Sequence, residues 1–100
     1  MSVLVVGKFQ GDTEAFRAAL QERADEFASI GERARSQGAI HHRFGIGEGF
    51  VIVVDEWESA EQFQAFFSDP ELQAFIASTG ALPGPPDLSI SEAVPSSDQF

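Results

Sequence analysis

Apolar and polar positions change period several times along this chain. Residues 2–9 are a β-branched run that stops at Gln10-Gly11-Asp12, the pattern of a strand followed by a turn. From Asp12 onward the period becomes helical: Phe16, Leu20, Arg23/Ala24, Phe27 and Ala34 recur at spacings of three, four and seven. The Asp12 carboxylate suits a helix cap, and Gly38 suits the left-handed stop, so the spacing predicts one long amphipathic helix ending near Gln37. Gly31 lies inside it at a cost of about 1 kcal/mol relative to Ala, marking either a bend or a close approach of the sheet.

Residues 39–46 and 50–57 read as the next two strands, joined through Gly47-Glu48-Gly49. Ser59-Ala60-Glu61-Gln62 has the form of a capping box, predicting a helix that carries Phe63, Phe66 and Phe67 on its apolar side. Asp69-Pro70 restarts the chain with a cap and a first-turn proline, giving a short apolar face of Leu72, Phe75 and Ile76. A Gly/Pro loop leads into the alternating residues 88–93, a last short strand. The final six residues read as a loose tail.

The order is β-α-β-β-α-β. It predicts an α+β, ferredoxin-like βαββαβ fold: a four-stranded antiparallel sheet with its helices on one face, as one domain over residues 1–94 with a tail over 95–100. The third strand is apolar at odd and even positions alike, whereas a sheet with one wet face would alternate. Its second face therefore calls for a cover, and the sheet of a second copy is the simplest one. A homodimer is expected, the more so because 100 residues bury only about two-thirds of their unfolded surface.

Composition narrows the partners. A net charge of -10 repels a phosphate backbone, so nucleic acid is not expected. No cysteine is present, which removes thiol chemistry and thiolate metal sites. The first residues carry no basic region, and their apolar run is broken by Gly7 and Lys8, so no signal peptide and no membrane span are expected and a cytoplasmic location follows.

The chemistry-bearing residues cluster in the central hairpin. His41 and His42 are successive strand residues pointing to opposite faces, so they cannot share one ion, and no metal site is expected. The glycines around Glu48 lack the spacing of a nucleotide loop and open no helix. Turn length decides which histidine meets Asp55. A two-residue turn of Gly47-Glu48 pairs Ile46 with Gly49 and sets His42 opposite Val53, with Asp55 as diagonal neighbour. A three-residue loop pairs Ile46 with Phe50 and sets His41 opposite Asp55. A carboxylate beside an imidazole orients it as a general base, although the same pair also serves as a purely structural contact.

Residues 53–75, VVDEWESAEQFQAFFSDPELQAF, resemble the antibiotic-biosynthesis monooxygenase-like group of dimeric α+β barrels, in which an acid and a Trp end the third strand ahead of a helix with an aromatic stripe. The resemblance implies a homodimer with sheets facing each other, and a small apolar pocket between sheet and helices in each subunit. Members include cofactor-independent monooxygenases of quinol-like polyketides and haem-degrading enzymes. The Trp and His used in haem degradation correspond here to Phe66 and Ile76, and Ile offers iron no donor atom. Trp57 matches the group's structural Trp.

Together these readings predict a protein that binds a small apolar or aromatic molecule and works without a cofactor. Its function would be that of a cofactor-independent monooxygenase acting on an aromatic or polyketide-like substrate. The base would be His42, or His41 in the other register, oriented by Asp55. Phe16, Phe44, Phe63, Phe66 and Phe67 would line the pocket. The rival is a non-catalytic homodimeric ligand-binding or assembly module, since fold alone does not carry activity.

Overall fold

The computed structural model describes residues 1–100. Its elements are β1 (Val3–Gln10), α1 (Thr13–Glu22), α2 (Ala24–Ser36), β2 (Ala39–Gly47), β3 (Phe50–Trp57), α3 (Ala60–Phe67), α4 (Pro70–Ser78) and β4 (Asp87–Glu92). The sheet order is β2-β3-β1-β4 and every neighbouring pair is antiparallel. This is the α+β, ferredoxin-like arrangement the pattern predicts. β2 and β4 are the edges, and the helices cover one face.

Directly paired residues share a face, so the register assigns each side chain. Val5, Asp55 and His42 lie in one row on the helix side, with Gly7, Val53 and Phe44 in the next. Trp57 and Val5 are the most deeply buried side chains, and with Phe63, Phe66 and Leu72 they form the core. Trp57 meets Phe63 and Phe66 at 5.6 and 5.4 Å between ring centroids. The other face carries Leu4, Val6 and Val54, which are 40%, 37% and 46% exposed. That row of apolar residues in water is the feature the non-alternating third strand predicts.

The long helix predicted from residue 12 is two helices. Arg23 leaves helical geometry at φ -118°, ψ 31°, ending α1 and starting α2. Its guanidinium donates to both Glu26 carboxylate oxygens at 3.1 and 2.9 Å and to Ser78 Oγ at 2.7 Å, and lies 4.4 Å from the Phe75 ring centroid. The joint is thus tied to α4. Its consequence is visible in Phe16 and Phe27, eleven residues apart, about 16 Å along a straight helix, whose rings nevertheless meet at 6.0 Å. Gly31 is neither the bend nor a close approach: nothing lies within 4 Å of where its Cβ would be.

The predicted caps are present, one in altered form. Asp12 accepts from the backbone N–H groups of Glu14 and Ala15 at 3.0 and 3.1 Å. Ser59 Oγ accepts from Gln62 N at 3.2 Å, but the Gln62 side-chain oxygen accepts from the Ser59 hydroxyl at 2.8 Å rather than from the Ser59 backbone N–H. The reason is Gly38, at φ +121°, whose missing side chain leaves the space that the Gln62 amide fills.

Candidate active site

The hairpin between β2 and β3 adopts neither register expected from the glycines. Gly47 pairs with Phe50, Ile46 with Val51, and the two turn residues are Glu48 and Gly49. The turn sits one residue further along because the positive φ, +81°, falls on Gly49, as a second central turn position requires. Gly47 is left in the strand, where a Cβ would collide with the Phe50 ring.

This register decides between the histidines. His42 lies directly opposite Asp55, not diagonal to it, while His41 pairs with Glu56 on the other face. The bond between His42 Nδ1 and Asp55 Oδ1 is 2.7 Å, and Trp57 Nε1 donates to Asp55 Oδ2 at 3.1 Å. An indole N–H can only donate, which makes Oδ2 an acceptor, and a carboxylate has no proton to give from Oδ1 either. The proton between Asp55 and His42 then belongs to Nδ1, leaving Nε2 as the free nitrogen of the ring. Asp55 is only 9% exposed, whereas the His42 side chain is 46% exposed. A buried acceptor with two donors is fixed in place, and it holds an imidazole that still reaches open space.

That space is a cavity of about 580 Å³ between sheet and helices, within the usual range for small-molecule sites. Phe16, Phe44, Phe63, Phe66 and Phe67 all line it, as do His42, Asp55 and Trp57. Phe44 links the two sets, its ring meeting Phe16 at 5.1 Å and His42 at 4.6 Å. His41, on the same edge strand and next to the irregularity between Ala39 and His41, borders the cavity too, but it is not bonded to Asp55. No three His, Cys, Asp or Glu side chains come together as a metal-binding group. Phe66 and Ile76 pack in and against the core.

No family model and no curated protein sequence matches the chain. Solved structures do. SnoaB of Streptomyces nogalater, a cofactor-independent oxygenase, superposes at TM-score 0.67 over 98% of this chain and 98% of that one, with 12% identity. ActVA-Orf6 of Streptomyces coelicolor, a monooxygenase solved with nanaomycin D, gives 0.65 over 95% and 93%, with 24% identity. A protein named antibiotic biosynthesis monooxygenase gives 0.64 over 93% and 99%, with 12% identity. The fold is that of the antibiotic biosynthesis monooxygenases.

Within this fold, Phe9, Gly31 and Arg35 are cavity residues that the sequence pattern did not point to. Phe9 reaches the cavity from β1, meeting Phe67 at 6.5 Å. Phe27 and Phe75 meet at 5.0 Å and close its helical wall. The signal for Phe9 was its parity with Val5 along β1, whereas Phe27 and Phe75 already stood on the apolar helix faces that the spacing predicts. Gly31 and Arg35 carried no such signal, since a wall residue next to empty space looks like helix surface in a sequence.

Proposed function

We propose that the chain is a small-molecule-binding protein that acts as a cofactor-independent monooxygenase on an aromatic or polyketide-like substrate. His42 is the base and Asp55 the residue that positions it. The observation that carries this reading is the chain of bonds from Trp57 through Asp55 to His42, ending on a free imidazole nitrogen in a phenylalanine-walled cavity. The likeness in fold to SnoaB and ActVA-Orf6 supports it.

The chemistry asks little beyond these groups. A flat substrate with an acidic CH₂ beside aromatic rings lies against the Phe16, Phe44 and Phe27 edges. Nε2 of His42 removes its proton, and the developing imidazolium is stabilised by Asp55. The carbanion gives electrons to O₂ and forms a C–O bond; the peroxide takes back the proton held by His42, and the hydroperoxide loses its outer OH together with the second hydrogen of that carbon as water, leaving a carbonyl. The substrate supplies all the electrons, one oxygen atom enters the product and the other leaves as water. The protein's part is to hold the substrate flat, keep bulk water from the carbanion and keep the proton in reach. Two copies meeting through the Leu4, Val6 and Val54 face would form the homodimer of this reading.

The test is oxygen uptake with a panel of anthrones and quinols. Wild type and His41→Ala should consume oxygen at similar rates, while His42→Ala should lose about 10²–10⁴-fold, the usual worth of a positioned base. Binding of the same compounds without oxygen uptake by any variant would assign the chain to the non-catalytic binding class instead.

A further inference from the structure

We propose that the cavity takes an aromatic molecule bearing a carboxylate, whose anionic group is held by Arg35 at a slot that Gly31 opens in the wall. The inference deepens the small-molecule reading above and rests on the same cavity. Three observations carry it.

First, no residue of α2 is fully buried: Ile30 and Ala34 pack against the edge of the core, while Phe27, Gly31 and Arg35 line the cavity. Phe27, Gly31 and Arg35 follow one another at spacings of four, so they form a single stripe, and all three line the cavity. Phe27 closes one end of the stripe against Phe75 and Phe44. At Gly31 the wall is open, with no atom beyond the helix's own turn within 4 Å of the Cβ position. A glycine in mid-helix is unfavourable to the helix itself, and here it leaves an opening that any side chain would narrow.

Second, Arg35 is a free cation. Arg23 is bonded to Glu26 and Arg33 lies 3.8 Å from Asp69, while Arg35 has no carboxylate within 4 Å. Glu32 also borders the cavity, so the opening offers one acid and one base that are not paired with each other.

Third, the remaining lining chooses the kind of anion. The walls are phenylalanine rings, and tyrosine, which would otherwise provide a hydroxyl donor, is absent from the chain. A single guanidinium presents the flat fork that matches one carboxylate in two parallel hydrogen bonds. A phosphate would ask for more positive charge than a chain of net charge -10 places here. The ligand class is thus a ring system with one carboxylate, its rings over His42 and its carboxylate at Arg35.

The experiment compares 9,10-anthraquinone-2-carboxylate with its neutral analogue 2-(hydroxymethyl)-9,10-anthraquinone, using quenching of Trp57, the sole tryptophan and a cavity residue. Isothermal titration of the full chain gives the same constants independently of fluorescence. The carboxylate should bind about tenfold or more tightly than the alcohol, the scale of a charge-assisted hydrogen bond. Arg35→Gln should remove that preference and leave the affinity for the alcohol unchanged. Gly31→Leu should weaken both probes while the circular dichroism spectrum is kept. Equal binding of the two probes to wild type, or an Arg35→Gln variant that keeps the preference, overturns the anionic anchor while the cavity reading stands. Unchanged binding by Gly31→Leu overturns the slot. Failure of both probes to bind overturns this inference together with the cavity reading on which it rests.

Discussion

Asp55 joins what the chain spells out to what it conceals. The acid, the tryptophan two residues later and the histidine doublet are all plain in the sequence, and either hairpin register brings one histidine to the Asp55 side. What could not be read was the turn, because three glycines at alternate positions offer three places for a positive φ. Only packing chooses among them, and here the Phe50 ring over Gly47 excludes a side chain there. The result sets His42 squarely against Asp55. Replacing Asp55 by Asn keeps the shape but supplies a group that can donate as well as accept, so it no longer imposes the Nδ1–H tautomer. Asp55→Asn should lower turnover about as much as His42→Ala, and ¹⁵N spectra should show His42 changing from one tautomer to a mixture. An unchanged tautomer would leave Asp55 as a packing residue. Phe66→Ala, which empties a core position beside Trp57, should cost about 3–5 kcal/mol in urea unfolding.

At the scale of elements, strands and caps were readable because they depend on local chemistry: β-branched runs, an Asp before a helix, a proline in its first turn. The division between α1 and α2 was not, because the helical period runs through residue 23 undisturbed. The cause is tertiary, a guanidinium that reaches α4 through Ser78 and Phe75. Arg23→Ala should therefore relax the joint, lower the melting temperature by a few degrees and widen the cavity mouth, which hydrogen exchange across residues 20–27 would register. The pair has a pH signature. The hydrogen bond from Arg23 holds the Glu26 carboxyl below its ordinary value, against a smaller opposing effect of desolvation. The contribution of Glu26 to stability is then complete above the ordinary carboxylate range and is lost as pH falls through its depressed folded value. Both groups are exposed, so the change is small. A melting-temperature difference between wild type and Glu26→Gln that shrinks on acidification would show it, and a constant difference would contradict it.

The whole molecule is a sheet with one face roofed over a cavity and the other set with apolar residues in water. The class of fold followed from element order alone. The cavity did not, since phenylalanines at helical spacing look the same whether they fill a core or line a hollow. The open face makes a prediction of its own. Wild type should sediment as a dimer at micromolar concentration, and Val54→Glu, which puts a charge among Leu4, Val6 and their copies, should sediment as a folded monomer. A wild-type monomer would remove the role given to that face.

The most direct test of the account as a whole is oxygen uptake on an anthrone by the two histidine variants compared in their intact dimers. The account predicts that His42→Ala loses turnover while still binding the anthrone, and that His41→Ala, one residue away on the opposite face of the sheet, keeps it. Equal activity in the two variants, or loss in His41→Ala alone, would contradict it.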